Sequence, residues 1–153
     1  MRKGPEHVPH SWLLLLLSVA MMVFASYSEV VLIDMGEWNL FLTFAAKLLG
    51  LMFYGAIFFV AGRAQRLVRG LTAIIGCGAV LTFLFVAEFV LFSPFLGAGL
   101  AWLIAALIIL WSLPVEGHII ARVIGQHWFV GIAIAVAAFF LQLGLLSVLS
   151  ERS

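Results

Sequence analysis

The chain has 153 residues, of which 65% are hydrophobic and only 10% are charged, and its formal net charge is +1. A water-soluble domain carries about 25% charged residues, and a chain of this length cannot hide several long apolar runs inside a globule. The composition therefore excludes a soluble domain and predicts a polytopic membrane protein surrounded by the lipid bilayer. The small net charge also argues against nucleic acid as a partner, because binding it requires a clustered basic face.

Five apolar runs are long enough to cross a bilayer as helices, which takes about 20 residues each. The first begins after Ser11, a good N-cap residue, and continues to Ile33. That length exceeds the core of a usual signal peptide, so we interpret the run as an uncleaved span rather than the alternative, a removed signal. The loops are too short to fold by themselves, so we expect one all-α domain. The predicted spans are residues 11–33, 40–61, 71–92, 97–124 and 128–149.

Two prolines shape the third and fourth spans. Span three is predicted to stop at Ser93 and Pro94, and the short link that follows predicts an antiparallel hairpin with span four. Pro114 is expected to kink span four rather than end it, because residues 115–124 again have helical character. Small residues recur every four positions at the start of this span, at Gly97, Ala101 and Ala105. Such a face allows a neighbouring helix to approach closely.

The basic residues predict the orientation of the chain. Short loops that are rich in Lys and Arg stay in the cytoplasm. With five spans, only Arg152 falls on the other side of the membrane from the main basic group. We therefore expect an inner (cytoplasmic) membrane protein with its N-terminus in the cytoplasm and its C-terminus outside. The residues on the predicted cytoplasmic side are Arg2, Lys3, Arg63, Arg66, Arg69 and Arg122.

Ionisable side chains occur inside the spans, where an unpaired charge near the centre costs about 2.5 kcal/mol or more. A rise of about 1.5 Å per residue places Glu29 and Glu88 about 10 Å, and Lys47 about 5 Å, from the middle of the membrane. All three lie toward the outer face, and Gln142 falls in the same half. Because a lysine side chain can extend toward the interface, the sequence predicts one polar layer formed by these four residues.

Three interpretations of this polar layer remain open. The preferred one is a structural ion pair or triad that fixes how the helices rotate and pack. The second is that Glu29 and Glu88 lie nearer to water, because predicted helix ends are uncertain by several residues. The third is a proton or ion path, since carboxylates inside membranes relay protons in transporters. The spacing of the residues does not distinguish these interpretations.

The segment after Pro114 is the most polar part of the second half of the chain. Glu116 and Arg122 are six positions apart and do not share a helix face, so we expect Glu116 to pair with another element. Arg122 is expected to extend toward phosphates or lipid head groups. Together with the arginine-rich loop, this segment predicts a cytoplasmic interaction surface. Its members are Arg63, Arg66, Arg69, Glu116, His118, Arg122 and His127.

No arrangement typical of catalysis or cofactor binding is found in the sequence. Pro9 separates His7 from His10, and only His118 is deep enough to ligate a haem between helices, which needs two facing histidines. Cys77 is the single cysteine, which excludes a disulfide framework and a thiolate metal site. Serines inside spans usually bond to backbone carbonyls. We therefore expect no enzyme activity, no cofactor and no bound metal.

Three stretches, residues 4–11, 63–80 and 111–122, resemble small bacterial members of the YIP (Ypt-interacting protein) family. The short Trp-x-Leu-x-Val-x-Gly-His pattern consists of Trp111, Leu113, Val115, Gly117 and His118. The resemblance implies five spans and a non-enzymatic role. The Asp-Leu-Tyr-Gly-Pro motif of the eukaryotic relatives is missing, so a Rab-type GTPase partner is not implied.

These observations favour an integral membrane scaffold or interaction protein that acts in membrane organisation or trafficking-like processes. Its expected partners are other membrane proteins or further copies of the chain. The alternative is a small transporter or ion-coupled permease that uses the intramembrane carboxylates.

Overall fold

The computed structural model describes residues 12–33 and 40–150, and this part of the chain is almost entirely helical. All five α-helices are long and apolar enough to cross a membrane, which confirms the predicted all-α, multi-pass class. The predictions for the N-terminal tail, for Ser11, for residues 34–39 and for residues 151–153 lie outside the described residues. The helices are α1 (Trp12–Ile33), α2 (Leu40–Val60), α3 (Leu67–Leu96), α4 (Ala98–Ile124) and α5 (Trp128–Ser150).

Large apolar side chains cover the outside of the bundle. Phe41, Phe59 and Phe95 are 76%, 73% and 86% exposed, and many Leu and Val side chains accompany them. Monomeric soluble proteins rarely expose apolar patches larger than a few hundred Å². Helices also satisfy their own backbone hydrogen bonds, as hydrocarbon requires. The surface is therefore that of a protein embedded in lipid.

The five helices form a ring in the order α1, α3, α4, α5, α2. Packing is most extensive between α1 and α3, between α4 and α5, and between α3 and α4, and α2 packs chiefly against α5. Helix α2 closes the ring through smaller contacts with α1, α3 and α4. Helix α2 is therefore the least extensively packed helix of the ring.

The closest approach of two helices joins α4 to α5 at Gly117 and Gly131. A Cβ atom on Gly117 would lie 2.7 Å from the backbone N and Cα of Ile132, and one on Gly131 would lie 2.8 Å from the Cβ of Ala121. No side chain fits at either position, so these glycines allow the two backbones to touch. The predicted small-residue face lies at the other end of α4, where Ala101 and Ala105 are fully buried.

One end of the bundle is closed by an apolar core. We call it the arginine-bearing end, because it contains residues 61–66 and 125–127, which join α2 to α3 and α4 to α5. Phe58 and Val123 are 0% and 1% exposed. A Cβ atom on Gly70 would lie 2.9 Å from both side chains, so α2, α3 and α4 meet there without a gap.

The largest boundary difference from the sequence prediction is in α3. Helix α3 extends beyond the predicted 71–92 at both ends, and the expected stop at Ser93 and Pro94 was wrong. Pro94 lies in the last turn, where its missing N–H removes only one helical hydrogen bond, and the helix ends at Gly97 with a φ of 78°. Helix α4 continues without a break through Pro114, so residues 115–124 belong to the span.

Candidate functional site

Lys47 of α2 joins α2 to α1 through two hydrogen bonds. Its Nζ donates to Ser26 Oγ at 2.7 Å and to Glu29 Oε2 at 3.0 Å. Ser26 and Glu29 are three positions apart and therefore share a face of α1. The Lys47 and Glu29 side chains are only 23% and 20% exposed. The structure thus brings together two of the predicted layer residues and adds Ser26, which the sequence prediction omitted.

A second polar pair joins α2 to α4. The hydroxyl of Tyr54, which is 3% exposed, donates a hydrogen bond to Glu116 Oε2 at 2.7 Å. Tyr54 follows Lys47 by seven positions, so both side chains leave the same face of α2, about 10 Å apart along the helix. Glu116 therefore points into the bundle and pairs with another helix, away from the basic residues with which it was grouped.

Gln142 of α5 reaches α2 between these two pairs. A Cβ atom on Gly50 would collide with the Gln142 amide, whose Cδ would lie 3.0 Å away. Gly50 therefore leaves the space that the amide occupies. On α4, Ser112 Oγ donates to the carbonyl of Ile109 at 2.7 Å and stands one turn before Glu116. Polar groups from four helices thus follow one another along α2.

These polar groups line a cavity inside the helix ring. It consists of two adjoining parts, of about 650 Å³ and about 190 Å³. Small-molecule sites are typically about 300–1,000 Å³ and are mostly apolar with a few placed polar groups. All five helices contribute to the wall. Both parts are lined by Glu29, Lys47, Tyr54, Phe85, Ile109, Ser112, Glu116 and Gln142.

The cavity extends away from the arginine-bearing end. Its larger part reaches Thr43, Trp102 and Leu146, which lie within about two turns of the ends of α2, α4 and α5. In the other direction it ends at Tyr54 and Glu116, next to the apolar core around Phe58. The described conformation is therefore closed toward the arginine-bearing end.

Glu88 does not join the Glu29 and Lys47 pair. It is 6% exposed, and neither of its carboxyl oxygens has a hydrogen-bond partner among the described residues. It lies one turn beyond Phe85 on α3 but does not line the cavity. The predicted polar layer is therefore divided: three of its four members line the cavity, whereas Glu88 is buried outside it.

The predicted cytoplasmic residues are also divided. Arg66, His118, Arg122 and His127 line an open groove of about 780 Å³ at the arginine-bearing end, together with Gln126 and Trp128. Arg63 Nη2 lies beside this groove, because a Cβ atom on Gly125 would be 3.4 Å from it. Arg69 does not line the groove, and its Nε is buried without a partner among the described residues.

Within residues 12–33 and 40–150, no group of three or more His, Cys, Asp and Glu side chains is placed to hold a metal ion. Cys77 is a free, half-buried thiol on α3. His127 stacks on Phe129 with ring centroids 5.3 Å apart.

No protein-family model matches the chain, and no curated protein or solved structure matches it either. The YIP resemblance therefore stays a prediction. The chain is an integral, multi-pass α-helical membrane protein, because it has five apolar helices and an apolar outer surface.

Proposed function

We propose that this protein is a small proton-coupled transporter and that the cavity inside its helix ring binds a small organic cation. The observation that carries the proposal is that two carboxyl groups at different depths, Glu29 and Glu116, face one cavity. Ionisable residues inside membranes are rare because they are costly, and they mark substrate and proton pathways.

The wall of the cavity favours a cation with apolar substituents. It contains two carboxyl groups against the single ammonium of Lys47, so a cation finds an excess of acidic groups. Aromatic rings of Phe85, Trp102 and Phe139 line the larger part, and ring faces attract cations. A strongly hydrated anion would meet neither feature.

Glu29, which pairs with Lys47, supplies the coupling in this proposal. A cationic substrate competes with Lys47 for Glu29, whereas a proton on Glu29 weakens the attraction that holds Lys47 there. Substrate and proton therefore exclude each other at one carboxyl group. Tyr54 and Glu116 form a second station about 10 Å further along α2.

Transport also requires the closed end to open. The apolar core around Phe58 blocks the path beyond Tyr54. Helix α2 has the least extensive packing against the α1, α3 and α4 side of the ring, so it is the element that moves in this proposal. Exchange between two such states gives alternating access to a fixed site.

The proposal is tested by reconstituting the full chain in liposomes with an acidic interior and measuring ethidium uptake together with internal pH. For the wild type we expect ethidium uptake driven by the proton gradient, with release of internal protons. In Glu116→Gln we expect ethidium uptake to be at least about tenfold slower, a change that corresponds to about 1.4 kcal/mol. Glu88→Gln is the matched control, because Glu88 is buried but outside the cavity. Uptake no faster than in protein-free liposomes, or equal loss in both variants, contradicts the proposal.

The second candidate is the scaffold or interaction protein favoured by the sequence. The observation in its favour is that Lys47 already has two partners, as a purely structural contact requires. In that case the reconstituted chain moves neither ethidium nor protons, and replacing Glu29, Lys47 and Glu88 together leaves its function in cells intact. Its partners would be other membrane proteins or further copies of the chain.

A further inference from the structure

The groove at the arginine-bearing end is separate from the cavity and is formed by three segments. Arg66 comes from the short 3-10 helix Ala64–Arg66 before α3, His118 and Arg122 come from the last turns of α4, and His127 comes from the turn before α5. The groove has a volume of about 780 Å³ and is open on one side. A ligand can therefore enter it without any movement of the helix ring.

The fold of the α4–α5 turn creates this arrangement. Gly125 adopts a left-handed conformation with a φ of 73°, and the N–H groups of Gly125 and Gln126 both donate to the carbonyl of Ala121. This is how helices commonly end at a glycine. The chain reverses at once, so His127 and Trp128 lie beside Arg122.

Positive charge in the groove is not compensated within the described residues. No ion pair with Arg66 or Arg122 occurs there, and Glu116, the nearest acidic residue in sequence, is turned into the cavity. The C-terminal end of α4 offers at most about half of one negative charge. Arg63 Nη2, next to Gly125, adds a third guanidinium. The uncompensated positive charge of the groove therefore favours binding of an anion.

The groove lies at the ends of two membrane-spanning helices, next to exposed aromatic side chains. Trp128 and Phe129 open α5 and are 44% and 64% exposed. Tryptophan at a helix end is typical of the membrane–water interface. A ligand with both a phosphate and acyl chains can contact the arginines and the aromatic rings together. Free phosphate can contact only the arginines.

We propose that this groove binds the phosphate head group of an anionic phospholipid. Arg66 and Arg122 bind the phosphate oxygens, since a planar guanidinium offers paired N–H donors that match phosphate. Trp128 packs against the glycerol and the first part of an acyl chain. The site is independent of the transport proposal, because it shares no lining residue with the cavity.

The test is native mass spectrometry of the full chain in mild detergent, titrated with phosphatidylglycerol or with phosphatidylcholine of the same chain length. We expect retention of one phosphatidylglycerol molecule in preference to phosphatidylcholine. Each arginine near an anionic surface contributes about 1 kcal/mol, so Arg122→Gln should weaken phosphatidylglycerol binding about fivefold and the Arg66→Gln, Arg122→Gln double variant about 30-fold.

Arg69→Gln is the matched control, because it removes one arginine from the same end of the bundle but not from the groove. In a competition experiment, inorganic phosphate is added to the complex of the protein with phosphatidylglycerol. Equal retention of both lipids, or an equal effect of Arg69→Gln and Arg122→Gln, overturns the proposal. Full displacement of phosphatidylglycerol by millimolar inorganic phosphate also overturns it, because the groove is then a free-anion site. If Arg122→Gln fails to fold, the salt dependence of lipid binding to the wild type is the test. A preference for phosphatidylglycerol that disappears at high salt supports the proposal, and a preference that salt leaves unchanged contradicts it.

Discussion

Lys47 and Tyr54 lie two turns apart on the same face of α2, and each forms a hydrogen bond with a carboxylate on a different helix. Lys47 joins α2 to Glu29 of α1, and Tyr54 joins α2 to Glu116 of α4. Apart from its packing on α5 and the apolar core around Phe58, α2 has few contacts with the ring, so these two pairs help to position it. The same pairs line the cavity, so in the proposed transporter α2 links stability to transport.

The Lys47→Met variant tests the structural part of this relationship. Removing the ammonium leaves Glu29 in the membrane without its partner, and breaking such a pair costs about 3–5 kcal/mol when it is fully buried. Because both side chains are about a fifth exposed, we expect a smaller loss, about 2 kcal/mol. The measurement is thermal unfolding in detergent. The double variant Lys47→Met, Glu29→Gln should recover part of the loss, and an unchanged midpoint for Lys47→Met argues against a stabilising pair.

The Tyr54→Phe variant separates stability from transport at the second pair. It removes one hydrogen bond between helices, which in membranes contributes about 0.6–1.7 kcal/mol, so we expect a modest fall in thermal stability. Glu116→Gln keeps an oxygen that accepts the Tyr54 hydrogen bond and should change stability less, while slowing proton exchange at least about tenfold. The measurements are thermal unfolding and proton flux in liposomes. If Glu116→Gln unfolds the protein but Tyr54→Phe does not, Glu116 stabilises the fold through contacts other than the Tyr54 hydrogen bond.

The Gly131→Ala variant should destabilise the α4–α5 contact. Its methyl group would collide with the carbonyl of Gly117 and lie 2.8 Å from the Cβ of Ala121. Overpacking of this kind costs about 1–3 kcal/mol. Gly55→Ala is the control, because nothing lies within 4 Å of a Cβ atom there. The midpoint temperature of thermal unfolding should fall for Gly131→Ala and stay equal or rise for Gly55→Ala. Equal midpoints for the two variants would show that α4 and α5 are further apart than the structure places them.

The Glu88→Leu variant should increase stability. The carboxyl group is 6% exposed and has no partner among the described residues, and a polar group buried in this way costs about 1–3 kcal/mol. Leucine has a similar volume and fills the space without that cost. Thermal unfolding of Glu88→Leu should occur at a higher temperature than in the wild type, with unchanged transport. A lower midpoint would indicate that Glu88 has a partner in the intact membrane protein.

The fold was largely predictable because hydrophobic length alone identifies a span. Each predicted run became a helix, and the errors lie at the ends, as with Pro94, whose lost hydrogen bond falls in the final turn of α3. That Glu29 and Lys47 lie at a similar level was also predictable, since the rise per residue fixes their positions along α1 and α2. The orientation of the termini is still a prediction from the arginines.

The partners of the remaining polar residues were not predictable, because they depend on how each helix rotates about its axis. Tyr54 and Glu116 are 62 positions apart, and nothing in the sequence relates their faces. The seven-residue spacing from Lys47 to Tyr54 was a usable signal, since it places two polar side chains on one face of α2. Glu88 has the depth expected for a layer residue, but the rotation of α3 turns it away from the cavity.

Water access to the cavity is the most direct test of whether it functions as a transport site. In a Cys77→Ala background, Ser112→Cys places a thiol on the cavity wall, and Leu110→Cys places one at similar depth on the outer surface, where Leu110 is 59% exposed. Both variants are treated in liposomes with a membrane-impermeant, charged methanethiosulfonate reagent. We expect rapid labelling of Ser112→Cys, slowed by ethidium, and none of Leu110→Cys. No labelling of Ser112→Cys, or labelling that ethidium leaves unchanged, would contradict a water-filled cavity that binds cations.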